Sequence, residues 1–110
     1  QLYGWKNYIL IMGNFIKLIN GEKPVLADFF ATWCGPCKTM SPVLIETKSK
    51  LEDKITIVKI DVDKNQDAAG KFNVRGVPTL ILFKKGKVIW RKSGVLSSDQ
   101  LIGEIQEFLN

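Results

Sequence analysis

An apolar run at residues 25–31, broken by a single charged side chain, constrains the fold of this chain more than any other feature. The run follows Pro24, contains Asp28 as its one polar residue and shows no polar alternation. This pattern is typical of a central strand that is buried on both faces of a sheet. Because such a sheet must be covered on both sides, the run indicates an α/β fold.

Three further strands are predicted downstream. Residues 55–60 are rich in β-branched side chains, and residues 78–83 are strand-like. Gly86 lies in a turn signal that leads into residues 88–90, so the last two strands are predicted to form a hairpin. Parallel pairing is expected early in the chain and antiparallel pairing at the hairpin.

Helical patterns separate these strands. Residues 37–51 read as one helix, a shorter helix follows Asn65, and a final helix carries its apolar side chains on one face. Ser97 and Gln100 form a capping-box pattern at the start of that last helix. The predicted architecture is a central mixed β-sheet of four to five strands flanked by helices on both faces.

The N-terminal region allows two interpretations. Residues 8–12 form a short apolar run that fits a buried strand. Alternatively, Trp5, Tyr8, Ile9 and Met12 follow a helical spacing that Gly13 would break. A short helix is then predicted around Phe15, Leu18 and Ile19, with Gly21 after its end.

Length and composition narrow the functional classes. The 110 residues suit a single domain covering residues 1–110. The absence of histidine excludes histidine-based acid–base catalysis and histidine-ligated metal. No apolar run approaches the ~20 residues that cross a bilayer, so no membrane association is expected.

The chain's two cysteines lie three positions apart, in the sequence Trp33-Cys34-Gly35-Pro36-Cys37. The motif follows the buried strand and opens a helix, so both sulfurs meet at the first helical turn. Unpaired N–H groups at a helix start favour a thiolate on Cys34, which is the reactive species. Structural zinc needs about four ligands, and two cysteines without histidine do not supply them, so no metal is expected.

Asp28 and a basic run each allow two interpretations. A carboxyl within an apolar run is either paired, by a structural hydrogen bond or an ion pair with Lys59, or is a functional acid of raised pKa. The basic residues near the hairpin predict a solvated, charge-protected sheet edge rather than a nucleic-acid site. These residues are Lys84, Lys85, Lys87, Arg91 and Lys92.

Several segments together resemble the thioredoxin family. The family's active-site segment is similar to residues 24–38, its next strand to residues 58–63, and its substrate loop to residues 75–80. The resemblance covers residues 14–110 and leaves residues 1–13 poorly matched. It implies the thioredoxin fold, with a redox-active disulfide as the reacting group and no bound cofactor.

The resemblance also implies individual roles. Cys34 is expected to be the attacking thiol, Cys37 the resolving thiol, Asp28 the buried acid that helps deprotonate Cys37, and Lys59 its cationic partner. Pro78 is expected to follow a cis peptide bond. The expected substrate-binding residues are Trp33, Gly35, Pro36, Gly76, Val77, Pro78, Gly94 and Val95. Three positions depart from the family pattern: Phe30 replaces tryptophan, Thr32 an acid and Ser93 an apolar residue.

The implied function is reduction of protein disulfides, with a flavin-dependent thioredoxin reductase as the electron donor. Two alternatives stay open: an exported disulfide oxidant or isomerase of the same fold, and a groove-binding module without redox turnover. Gly35-Pro36 resembles the reducing members. The expected state is a cytoplasmic monomer, and the start at Gln1 leaves export or excision from a longer chain open.

Overall fold

A computed structural model describes residues 12–109 of the chain. Helix α1 (Met12–Ile19) begins at its first described residue and continues through Gly13. The expected helix break at Gly13 is therefore wrong: glycine costs a helix about 1 kcal/mol, which packing of Phe15 and Ile19 in the core offsets. Trp5, Tyr8 and Ile9, on which the two N-terminal interpretations rest, lie outside the described residues.

Four strands form one mixed sheet in the described part of the chain. They are β1 (Val25–Phe30), β2 (Thr56–Asp61), β3 (Thr79–Lys84) and β4 (Lys87–Ser93). Their order is β2-β1-β3-β4, with β1 parallel to β2, and with β3 antiparallel to both β1 and β4. The predicted mixed sheet is confirmed, and the basic strand β4 lies at its edge.

Helices α2 (Gly35–Leu51), α3 (Gln66–Lys71) and α4 (Ser98–Ile105) connect or follow the strands. Helix α2 begins two residues earlier than predicted, because Cys34 caps it and Pro36 suits its first turn. The capping box of Ser97 and Gln100 is present at the start of α4. Short 3₁₀ turns, Glu52–Lys54 and Gln106–Phe108, follow α2 and α4.

Strand β1 is buried on both faces, as its apolar run predicts. Ala27 and Phe29 pack in one cluster with Phe15 of α1. Leu26 packs in a second cluster with Met40 and Leu44 of α2. Because side chains alternate along a strand, Asp28 lies on the same face as Leu26, under α2.

Candidate dithiol site

Cys34 and Cys37 lie at the junction between the end of β1 and the start of α2. Cys34 is the N-cap residue of α2 in an extended conformation, and the backbone N–H of Cys37 donates a 3.2 Å hydrogen bond to its Sγ. The two Cα atoms are 5.3 Å apart and the sulfurs form a disulfide. The two residues between the cysteines thus place both sulfurs at the first turn of α2, next to the positive end of the helix dipole.

The environment of the pair favours charge on Cys34 after reduction. The Cys37 N–H already points at Cys34 Sγ, and a thiolate is a stronger acceptor than a disulfide sulfur. The first turn of α2 contains no acidic side chain that would oppose a thiolate. Both cysteines are nevertheless buried, packed with Ala31 and bordered by the half-buried Val77. A substrate sulfur therefore has to approach through the adjoining surface.

Asp28 is the most unusual group near the pair. Its side chain is fully buried, and neither carboxyl oxygen accepts a hydrogen bond from the described residues. Burial raises its pKa to about 7, against a smaller lowering by the positive charge of Lys59. Of the two structural partners left open from the sequence, a hydrogen bond is not found among the described residues, whereas the charge of Lys59 does act on the acid.

Packing puts this acid close to Cys37. Leu26 shares a buried cluster with Met40 of α2. The next residue on the same strand face lies ~7 Å further along, so Asp28 is shifted by that distance toward the carboxyl end of β1. Since α2 starts at that end and runs back over the sheet, Asp28 lies beneath the turn that carries Cys37.

Lys59 is aligned with Asp28 in the register of β1 and β2. Its ammonium donates a 2.7 Å hydrogen bond to Ser41 Oγ and lies 4.7 Å from the centroid of the Phe30 ring. Ser41 was missed from the sequence, although its spacing of four from Cys37 puts both residues on one helix face. The Phe30 ring thus helps to hold the cation near the acid, so the departure from tryptophan keeps an aromatic partner for Lys59.

The substrate loop lies beside the disulfide. The Val77–Pro78 peptide bond is cis, as the resemblance implies, and Val77 packs against the cysteine cluster. The backbone N–H of Gly94 donates a 2.9 Å hydrogen bond to the carbonyl of Pro78. Gly94 has a φ of +96°, a backbone conformation that favours glycine. The loops at residues 76–78 and 94 are therefore joined next to the cysteines.

The remaining predicted groove residues occupy the surface. Trp33 is 71% exposed, and its indole N–H donates a 2.9 Å hydrogen bond to Asp63. Asp63, which follows β2, was not singled out from the sequence, because no local pattern reveals a contact across thirty positions. Gly35, Pro36, Gly76 and Val95 are exposed, and Val95 does not belong to the cysteine cluster.

Known proteins are similar to this chain over most of its length. A family model described as Thioredoxin matches residues 8–107. The chain is 45% identical over 97 residues to a thioredoxin-like protein of Synechocystis sp., covering 87% of this chain and 92% of that protein. It is 48% identical over 89 residues to a thioredoxin of Bacillus subtilis, covering 81% and 82%. The chain belongs to the thioredoxin family.

Other thioredoxins extend the comparison. Thioredoxin Y1, chloroplastic, of Arabidopsis thaliana is 48% identical over 92 residues, covering 84% of this chain. The match spans 54% of that longer protein, so the chain covers about half of the length of its chloroplastic relative. A solved mutant thioredoxin from Halobacterium salinarum superposes with a TM-score of 0.82 at 37% identity, covering 93% of this chain and 88% of that one.

Thioredoxins are oxidoreductases that act on thiol–disulfide pairs, and this member has its pair at disulfide distance. The relatives and the pair together support a thiol–disulfide reductase over the oxidant and the non-redox module. Within residues 12–109, no group of three or more cysteine, aspartate or glutamate side chains is arranged to hold a metal. No helix in that same range is long and apolar enough to cross a membrane.

Replacing the buried acid should stabilise this thioredoxin at alkaline pH. Asp28 ionises near pH 4 when unfolded but near pH 7 when folded, so it lowers stability as pH rises from about 4 to 7, and the loss then levels off. Asp28→Asn in the oxidised form should be more stable than wild type by a few kcal/mol at pH 8 and should match it more closely at pH 4. Urea unfolding at both pH values measures the difference.

The matched control is Asp67→Asn, which removes an exposed carboxyl. It should lower stability by at most about 1 kcal/mol, because it loses only the favourable charge of Asp67 in the first turn of α3, and it should not stabilise the protein at either pH. Equal stabilisation of Asp28→Asn at pH 4 and pH 8 would contradict the buried, ionisable carboxyl.

Proposed function

We propose that this chain is a protein-disulfide reductase whose reacting group is the Cys34–Cys37 dithiol. The observation that carries the proposal is the Cys34–Cys37 disulfide at the N-terminus of α2, with the buried Asp28 carboxyl on the face of β1 that α2 covers. A buried carboxyl without hydrogen bonds lowers the stability of the fold. It can, however, accept the proton that a dithiol must lose during the reaction.

The first transfer uses Cys34. Its thiolate, stabilised by the N-terminus of α2, attacks one sulfur of a substrate disulfide. The substrate S–S bond breaks, the Cys34 sulfur forms a mixed disulfide, and the other substrate sulfur leaves as a thiolate that takes a proton from water. One electron pair has then moved onto the substrate's leaving sulfur.

The second transfer uses Cys37 and Asp28. The Asp28 carboxylate accepts the Cys37 thiol proton, directly or through water, and its pKa of about 7 suits proton exchange at neutral pH. The Cys37 thiolate attacks Cys34 Sγ, the mixed disulfide breaks, and the second substrate sulfur leaves as a thiolate that takes a proton from water. The chain ends with the Cys34–Cys37 disulfide and the substrate with two thiols. Lys59 supports the ionised acid.

The substrate is held along the surface beside the disulfide. Gly35, Pro36 and Trp33 form one side, and residues 76–78 with 94–95 form the other. An extended substrate segment lies as an added strand beside Pro78 and is thereby aligned with Cys34. The exposure of Trp33 and Val95 leaves apolar area for this contact.

The wider context follows from the proposed reaction. Thioredoxin reductase returns two electrons to the disulfide, and the chain works without a bound cofactor or metal. It serves electron transport and redox homeostasis in the cytoplasm as a monomeric single domain of residues 1–110, with protein disulfides as substrates and no nucleic-acid or membrane partner. The thioredoxins of bacteria among its relatives support this setting.

The two cysteines should behave differently on substitution. Cys34→Ser should abolish reduction of insulin disulfides with dithiothreitol as electron donor, because no attacking thiol remains. Cys37→Ser should attack and then stall, which accumulates a mixed disulfide on Cys34. Insulin turbidity above the rate with dithiothreitol alone measures the first outcome. Non-reducing gels and mass spectrometry of samples without dithiothreitol measure the second, because dithiothreitol would itself reduce a mixed disulfide. Turnover by Cys34→Ser, or an absence of trapped protein with Cys37→Ser, would contradict the assigned roles.

Removing the buried acid should slow the second transfer. In Asp28→Asn the Cys37 thiol loses its proton acceptor, so release of substrate from the mixed disulfide should fall about tenfold or more near pH 7. Rapid-mixing kinetics across pH 6–9 should show an inflection near pH 7 in wild type that Asp28→Asn lacks. An identical pH–rate profile in Asp67→Asn serves as the control, and an unchanged profile in Asp28→Asn would leave the carboxyl without a catalytic role.

A further inference from the structure

The segment that carries the substrate loop is held from the edge of the sheet. Residues 72–78, here called the connecting segment, join α3 to β3 and include Val77, which packs against the cysteine cluster. Because Val77 packs against the cysteine cluster, the position of the connecting segment sets the width of the proposed substrate groove. What holds this segment therefore bears on the proposed function.

Helix α3 ends in a tight C-terminal motif. The N–H of Val74 donates to the carbonyl of Ala69 at 2.8 Å, and the N–H of Asn73 donates to the carbonyl of Gly70 at 3.2 Å. Asn73 has a φ of +57°, the left-handed conformation that this Schellman-type ending requires. The carbonyls of Phe72 and Asn73 lie beyond the last helical acceptors and need donors from elsewhere.

Arg91 supplies both donors from β4. Its Nη1 donates to the carbonyl of Phe72 and its Nη2 to the carbonyl of Asn73, each at 2.6 Å. The planar guanidinium matches two successive carbonyls, and its positive charge complements the negative end of α3. An exposed side chain on an edge strand thereby binds the start of the connecting segment.

A second set of hydrogen bonds links β4 to the other end of the connecting segment. Thr79 Oγ1 donates to the carbonyl of Gly76 at 2.7 Å and lies 3.0 Å from Ser93 Oγ. Since a hydroxyl has one proton, Ser93 donates to Thr79 in this pair. Arg91 and Ser93 are two positions apart on β4, so both act from one face of the edge strand.

We propose that Arg91 is a positioning residue that holds the connecting segment, and with it Val77 and Pro78, at the distance from Cys34 that a protein substrate requires. This inference rests on the proposed function and extends it to a residue that does not touch the substrate. Arg91 thus has a role of its own within the basic run, whose other residues are still interpreted as a charged sheet edge.

The test uses one variant that conserves charge at Arg91 and one control variant at the neighbouring position. Arg91→Lys keeps the positive charge but has no fork for two carbonyls, and Lys92→Gln removes a charge from the next position without touching the segment. For insulin, Arg91→Lys should raise KM about tenfold, the lower end expected for one lost hydrogen bond to a charged group, with kcat within about twofold. A small aromatic disulfide needs no groove, so its reduction rate should stay at the wild-type value. Lys92→Gln should match wild type with both substrates.

Amide hydrogen exchange supplies a readout that does not depend on activity. Exchange at Asn73 and Val74 should accelerate about fivefold in Arg91→Lys and not in Lys92→Gln, because the α3 ending loses its partner. Unchanged exchange and an unchanged KM would overturn the proposal, and so would an equal loss with both substrates, which indicates general damage. If wild type reduces neither substrate, the reductase function fails, and the exchange data alone still decide whether Arg91 holds the segment.

Discussion

Burial of β1 on both faces is the constraint on which the rest of the structure depends. Its side chains alternate between the layer of α1 and α3 and the layer of α2 and α4, so its first five positions are buried and only Phe30 at its end is partly exposed. A charged residue in the middle of such a strand is shielded from bulk solvent. Asp28 is therefore a buried acid because of its position on β1. The carboxyl end of the same strand leads to Cys34 at the N-terminus of α2.

Two opposing electrostatic effects meet at the dithiol. The N-terminus of α2 and the Cys37 N–H stabilise negative charge on Cys34. The Asp28 carboxylate beneath the same turn opposes additional negative charge, since Lys59 only partly offsets it. The first effect makes Cys34 a nucleophile, and the second disfavours the thiolate form and so favours closure to the disulfide. A pair with this balance gives up electrons readily, as a reductase must.

Local patterns predicted most of the fold, and contacts between distant residues account for what they missed. The run at residues 25–31, the hairpin at Gly86 and the capping box of Ser97 are each encoded in a few adjacent residues. Gly13 was misread as a break because its cost is small beside the packing of Phe15. Ser41 and Asp63 could not be assigned, because their partners Lys59 and Trp33 lie 18 and 30 positions away.

The same distinction applies within the site. Cys34 and Cys37 are recognisable from their spacing and their place between strand and helix, and Asp28 from its apolar surroundings. Arg91 looked like one member of a basic run, because nothing in its neighbours shows that α3 ends opposite it with two carbonyls in need of donors. Pairing of β4 with β3 creates that contact, and only the assembled sheet shows it.

The reduction potential of the Cys34–Cys37 pair tests the reductase assignment most directly. It can be measured by equilibration in glutathione or dithiothreitol redox buffers, with Trp33 fluorescence as the signal and alkylation to count thiols. The account predicts a potential more negative than the roughly −220 to −260 mV at which glutathione poises the cytosol. A potential near −120 to −180 mV, the range of disulfide-forming oxidants and isomerases, would contradict it.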